Sequence, residues 1–368
     1  MKKAIIVGAG VGGLATALRL KAQGLDVLVI ENNSFPGGKL SSFNLGKYRF
    51  DAGPSLLTMP QYIDELFELF NENPQDYFNY KKKDISCKYF WDDSTVLNAY
   101  SDKKKFVNEI NKVLKVDKKV ISKYLQKAKN KYVLTKSIFL EKSLHKIGTF
   151  LSIDLIKAIL NLHVFQIHKT LNKVNQDELK EPHLVQLFNR FATYIGSSPY
   201  KTPGMMSLIQ HLEHEQGTFV SEKGMINIPN TLYDLAKRNG VKFEFNKLVS
   251  EIVLNKNKVI GVKVNNTIIK SDIVVSNMDI VPTYKKLLKK SYQPKKVLDQ
   301  ERSSSALIFY WGIKKSFKNL ELHNILFSNN YKKEFDSIFD LSTISNDPTV
   351  YINITSKDIV SDAPKGCE

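Results

Sequence analysis

The chain has 368 residues, enough for about two domains and a large core. With 42% hydrophobic and 25% charged residues it is neither disordered nor fibrous. Two cysteines, Cys87 and Cys367, exclude a disulfide framework and a cysteine-held zinc or iron–sulfur site, and fit a reducing cytoplasm. The net charge of +17 is mostly lysine in scattered runs such as Lys81-Lys82-Lys83. No nucleic-acid-binding signature accompanies it, which leaves a solvated lysine-rich surface or attraction to anionic lipid. No charge-free segment approaches the ~20 residues of a spanning helix.

Residues 4–7 (Ala-Ile-Ile-Val) read as a short buried strand. Gly8-Ala9-Gly10-Val11-Gly12-Gly13 follows, then a run of helix formers that Gly24 stops. Val27-Leu28-Val29-Ile30 is a second buried strand and ends at Glu31. In this arrangement Gly8 makes the tight turn, Gly10 lets a pyrophosphate approach the backbone, and Gly13 lets the helix pack on the strand; Gly12 belongs to the same run. The phosphates would sit on the helix N-terminus. Glu31 is placed to accept hydrogen bonds from a ribose diol, and its charge disfavours a 2′-phosphate. A glycine motif that follows a strand, opens a helix and is completed by an acid reads as a dinucleotide site.

Just past that acid stands Gly37-Gly38-Lys39, a glycine pair with a cation that can wrap the other side of a long dinucleotide. Tyr48-Arg49-Phe50-Asp51-Ala52-Gly53-Pro54-Ser55 reads as a strand running into a Gly-Pro turn. The glycine pair with its cation resembles the element of glutathione-reductase-like flavoproteins. That resemblance implies FAD and puts Gly53, Pro54 and Ser55 near the flavin end.

Together, GAGVGGLATALRLKAQG, ENNSFPGGKLSSF and YRFDAGPSLLTMP resemble the bacterial and fungal type of phytoene desaturase, a FAD-dependent carotenoid desaturase. Phe219-Val220-Ser221-Glu222-Lys223-Gly224-Met225 before Ile228-Pro229 resembles that family's glycine turn. Ile273-Val274-Val275-Ser276-Asn277-Met278-Asp279 resembles its return strand, and the segment from Ser303 to Gly312 its substrate-domain strand. Members of the family run on beyond Glu368, so the resemblance implies a chain without the family's C-terminal part.

The fold expected is α/β: a glutathione-reductase-like FAD-binding (Rossmann-type) domain with a discontinuous α+β substrate domain. Residues 1–78 and 216–282 would build the first. Residues 79–215, helical and membrane-facing, and 283–368 would build the second. From Gly240 the apolar pattern turns to period two, giving a meander before the 272–276 strand. In the resembled folds Val249 lies where adenine stacks; sheet core is its other reading.

Residues 150–171 are apolar apart from a narrow stripe of Asp154, Lys157, Asn161 and His168. Such an arc suits a buried helix or one lying in a membrane interface, and a bilayer-delivered hydrocarbon substrate favours the interface. The resemblance gives Asp154 a reading as acceptor of the departing proton, although the arginine usual beside it is absent. Dipole stabilisation and pairing with Lys157 are its alternative. The histidines show no metal-ligand spacing.

The resemblance implies desaturation of phytoene toward lycopene. Hydride would pass to the flavin and a proton leave the adjacent carbon, with quinone or oxygen as the final electron acceptor. It further implies a cytoplasmic enzyme held peripherally on the inner face of the cell membrane. Related desaturases, an isomerase, an oxidase or a non-catalytic carotenoid- or membrane-binding remnant are the alternatives.

Overall fold

The computed structural model describes residues 1–143, 146–150, 152–288 and 293–368. Its organising element is a parallel sheet of four strands in the order Ile273–Ser276, Lys3–Val7, Asp26–Ile30 and Lys242–Glu244. The central strands Lys3–Val7 and Asp26–Ile30 read as apolar runs because both faces are covered. Ile6, Val27 and Val29 point to one face, against the helices Val11–Ala22 and Asn227–Arg238. Ile5, Val7, Leu28 and Ile30 point to the other, against an antiparallel meander of Val249–Asn255, Lys258–Val264 and Thr267–Lys270. The alternation follows the two-residue period of a strand. The meander turns fall where Lys256-Asn257 and Asn265-Asn266 adopt positive φ, as tight hairpins require.

Two expectations need correction here. The 241–245 run belongs to the parallel sheet, as its edge strand Lys242–Glu244, and not to the meander. Its aromatics Phe243 and Phe245 pack on Tyr233 of the neighbouring helix, which produces the period-two signal. Residues 79–215 are also not purely helical. Ile85–Phe90 and Val96–Tyr100 form half of a second sheet, ordered Val350–Asn353, His323–Leu326, Ile85–Phe90, Val96–Tyr100. The lysine density around these strands masks their alternation: Cys87, Tyr89, Leu97 and Ala99 are buried, with charged residues between and beside them. This sheet joins residues from both sides of the nucleotide-binding segments, so the second domain is discontinuous. Helices Lys103–Leu114, Lys118–Lys136 and Pro182–Asn189 contribute to its core.

The 150–171 stretch is not one helix. It is divided into Ile147–Phe150, Ile153–Leu160 and Leu162–Phe165, and residue 151 lies outside the described residues. Ser152 caps a fresh start by accepting from the Leu155 amide. Asn161 folds back onto the Lys157 carbonyl, and Gln166 takes a left-handed conformation that ends the last turn. The segment expected as a substrate-domain strand, 303–312, forms no strand and pairs with none among the described residues. It lies over the hairpin Ser41–Leu45/Tyr48–Ala52, where Tyr310 packs edge-on against Phe43 and Phe50. Leu307, Phe309 and Trp311 remain exposed.

Candidate cofactor and active site

Gly8, at φ +101°, turns the chain out of the Lys3–Val7 strand, and its amide donates to the Ile30 carbonyl. A Cβ on Gly13 would stand 2.1 Å from the Gly8 carbonyl oxygen, so only glycine lets the helix begin there. Glu31 closes the turn: its carboxylate accepts from the Ala9 amide at 2.7 Å and the Asn33 amide at 2.8 Å. Each oxygen keeps a further lone pair for a ribose hydroxyl.

Gly37 and Gly38 come back onto this turn. The Gly37 amide donates to the Ala9 carbonyl, Gly10 and Gly37 form a parallel bridge, and a Cβ on Gly38 would touch the Gly10 Cα at 3.4 Å. Lys39 is exposed beside them, and its carbonyl lies where a Cβ of Gly53 would fall, at 1.9 Å. Gly53 has φ +98°, so both space and backbone demand glycine. Gly8, Gly10, Gly12, Gly13, Glu31, Gly37, Gly38, Lys39 and Gly53 therefore belong to one surface, and Pro54 and Ser55 continue it toward the second domain. Val249 is buried in the cluster between the parallel sheet and the meander, with Ile5, Val7, Leu28 and Ile30.

Asn277 is a residue that the motif reading passed over. It follows the Ile273–Ser276 strand as Glu31 follows Asp26–Ile30, at the carboxyl end where open α/β sheets bind ligands. Its amide lies across the glycines: Cβ atoms on Gly10 and Gly12 would meet it at 2.9 and 2.8 Å. A polar residue directly after a strand was the available signal, but the sequence does not say that this strand pairs with the first.

A second missed group locks the hairpin. Arg49 donates to Asp51 at 2.6 Å and to both oxygens of Asp362 at 2.9 and 3.0 Å. Asp51 also accepts from the Met225 and Ile226 amides, beyond the Gly224 turn. The three charges tie the Gly53 turn to the helix Asn227–Arg238 and to the last residues of the chain. Asp362 is buried, so its charge depends on Arg49.

Asp154 stands apart from these elements. Its carboxylate pairs with Lys142 at 2.6 Å on the surface, and hydrogen bonds from Lys142 and Ser137 hold it below the usual carboxylate range. The apolar residues around it face outward: Ile153 is 70% exposed, Leu160 74% and Ile156 52%. Among the described residues no helix is long and apolar enough to cross a membrane.

The core of the second domain holds a buried charge pair. Arg190 donates to both oxygens of Glu213 at 2.8 Å and to the Tyr89 hydroxyl, and the Tyr194 hydroxyl donates to Glu213 at 2.6 Å. Burial alone would raise the Glu213 carboxyl, but Arg190 overrides it and holds it at about 2. His214 beside it lies among Phe106, Phe188 and Phe191, and burial lowers it to about 4.

A glycine cradle on a parallel sheet, an acid at the second strand and a returning glycine pair define a flavin-dependent oxidoreductase. The chain belongs to the flavin containing amine oxidoreductase family, whose model matches residues 11–310. FAD is its cofactor, and the cradle fits it: Gly10 carries no side chain on the phosphate approach, and Gly13 lets the helix start against the Gly8 turn. Over all 368 residues the chain is 53% identical to a 1-hydroxycarotenoid 3,4-desaturase of Flavobacterium sp., covering 75% of that protein. It is 31% identical to a 4,4′-diapolycopene oxygenase of Methylomonas, again over the whole chain and 74% of that protein. It is therefore a member of the carotenoid desaturase and oxygenase group. Among solved structures, an oxidoreductase from Methanosarcina mazei matches 99% of this chain and 77% of its own, with TM-score 0.64 at 14% identity. Putrescine oxidase with bound putrescine matches 80% of this chain and 60% of its own, with TM-score 0.51 at 14% identity. These two likenesses concern the fold.

Proposed function

We propose that this protein is a FAD-dependent desaturase of acyclic carotenoids, and that its substrate carries a hydroxylated end. The observation that carries the reading is 53% identity, along the whole chain, to a desaturase of 1-hydroxycarotenoids, on a chain with an intact flavin cradle. Phytoene, the substrate implied by the motifs alone, undergoes the same chemistry and is the second candidate.

When bound, FAD supplies the two-electron acceptor that takes hydride from a saturated carbon beside the polyene. The chain's own residues hold and orient. The amides at the start of the helix Val11–Ala22, with Asn277, would receive the pyrophosphate; Glu31 would receive the ribose and Val249 would back the adenine. Gly53, Pro54 and Ser55 present the flavin end to the second domain. With the redox chemistry on the cofactor, few polar side chains need to touch a hydrocarbon substrate.

We further propose peripheral attachment to the inner face of the cell membrane through the exposed Ile153, Ile156, Leu160 and Ile167, with Lys142 and Lys157 toward anionic lipid. Electrons would leave the reduced cofactor to quinone or oxygen.

The test is expression of the chain, alone and within its complete reading frame, in bacteria that accumulate either an acyclic 1-hydroxycarotenoid or phytoene, followed by pigment extraction. A longer polyene from the hydroxycarotenoid, with phytoene unchanged, is the expected outcome. Colour from phytoene would move the substrate to the earlier compound. An oxygenated product would favour an activity like that of the Methylomonas relative, and no product from flavin-loaded protein would contradict a carotenoid oxidoreductase.

A further inference from the structure

The Ser55 hydroxyl lies 2.8 Å from the Tyr351 hydroxyl, which lies 2.7 Å from Nδ1 of His323. The first residue belongs to the Gly53 turn of the nucleotide-binding domain. The other two stand on adjacent strands of the second sheet, with His323 opposite Asn353. The chain of bonds therefore runs from the flavin-side turn into the neighbouring domain. His323 is 2% exposed, and its Nε2 has no partner among the described residues.

Asn353 favours one direction for these bonds. Its amide nitrogen donates to the Leu322 carbonyl, which can only accept, and lies 3.2 Å from the same Nδ1. A side-chain NH2 cannot accept, so the tautomer that suits this contact has Nδ1 as acceptor and its proton on Nε2. In that tautomer Tyr351 donates to Nδ1 and its oxygen accepts from Ser55. The lone pairs of Ser55 Oγ are then free to accept. Burial lowers His323 to about 4, so the ring is neutral at ordinary pH; Glu213 and Asp358 favour its charged form, while Lys83 and Arg190 oppose it.

We propose that Ser55, Tyr351 and His323 form a one-way proton relay that takes the proton released by the substrate. The proposal rests on the desaturase reading, since the proton carried is that of a substrate C–H bond. As hydride leaves one carbon with its electron pair for FAD, the neighbouring C–H bond breaks and its electron pair becomes the new double bond. That proton bonds to Ser55 Oγ, the Ser55 proton passes to Tyr351, and the Tyr351 proton passes to Nδ1. The two hydroxyls end as they began, and His323 becomes an imidazolium. Ser55 alone touches the reacting atoms; Tyr351 and His323 act through it.

The experiment compares FAD-loaded wild type, Tyr351→Phe and His323→Gln in anaerobic single turnover with an acyclic 1-hydroxycarotenoid in detergent micelles, in H2O and D2O. Tyr351 is 46% exposed and its ring is retained in the phenylalanine variant, so folding and FAD content should be unchanged. The relay requires the limiting rate of flavin reduction to fall about 100-fold in both variants, with the substrate concentration that gives half of it little changed. It also requires a solvent isotope effect in wild type that vanishes in Tyr351→Phe, which a purely structural hydroxyl would not produce. Without substrate, 15N NMR of histidine-labelled protein should show His323 Nδ1 as an unprotonated acceptor whose signal moves in Tyr351→Phe. Turnover at the wild-type rate in either variant, or a protonated Nδ1, would overturn the relay alone. FAD-loaded wild type that leaves both the hydroxycarotenoid and phytoene unchanged would overturn the desaturase reading and the relay with it.

Discussion

At Gly13 one added methyl would stand 2.1 Å from a carbonyl oxygen, whereas at Ile153 a whole side chain is 70% exposed. The cradle and the 153–167 rim are both apolar and both close to charge, yet they are held in opposite ways. In the cradle, backbone meets backbone across Gly10, Gly37 and Gly53, and each position admits one residue type. On the rim, Leu155 and Ala158 reach inward to Ile138 and Phe165, while their helix turns its larger residues outward. A site that must fit one cofactor is specified by close approach. A surface that would meet a fluid bilayer needs only apolar area.

The comparison breaks first at Arg49. Replacing it with Leu leaves the buried Asp362 and Asp51 uncompensated and should cost about 3–5 kcal/mol, read as a fall in Tm and loss of bound flavin. An unchanged Tm would mean that the hairpin is held by its aromatics alone.

Gly13→Val tests the cradle directly. Overpacking should weaken FAD binding by on the order of 1–3 kcal/mol, about 5- to 150-fold, seen as a lower flavin-to-protein ratio after gel filtration. Wild-type stoichiometry would contradict the need for this close approach of helix and turn.

Acid separates the two domains. All seven histidines lie outside residues 1–78 and 216–282. His214 and His323 are lowered to about 4, so they are neutral when folded and take up protons on unfolding once the pH drops below about 6.5. Their stabilising contribution is complete above that value. Each loses about 1.4 kcal/mol per pH unit down to its folded value. Glu213, held at about 2, adds its own loss below about pH 4.5. Limited proteolysis at pH 7 and pH 5 should therefore show cleavage rising within 79–215 before 1–78. The reverse order would refute the neutral buried histidines.

On the rim, Ile153→Ser with Leu160→Ser should change stability by less than about 0.5 kcal/mol, because both side chains are exposed. Flotation with anionic liposomes should fall sharply, and retained flotation would sink the docking surface. Asp154→Asn should have the smallest effect, less than about threefold in rate, since an exposed ion pair contributes little. A loss beyond tenfold would give the proton to Asp154 and not to the relay.

Much of the cradle was legible because its chemistry is local. A strand, a glycine turn, a helix and an acid follow one another within 31 residues, and Gly8 and Gly13 are required by the turn itself. Asn277 and Asp362 were not legible as cradle residues, because they reach the site by strand order and by a contact spanning 313 positions. The Ser55–Tyr351–His323 line joins three elements far apart in the chain, and none of them carries a motif. The rim misled in a different way. Its apolar arc was real, but Ser152, Asn161 and Gln166 break the helix that a uniform wheel assumes.

The central claim is that this cradle carries FAD for carotenoid desaturation. Its most direct test is anaerobic mixing of the purified, flavin-loaded protein with an acyclic 1-hydroxycarotenoid. The account expects the oxidised-flavin band to bleach as the carotenoid spectrum moves to longer wavelength, one new double bond per flavin. A flavin that stays oxidised with both that compound and phytoene would contradict it.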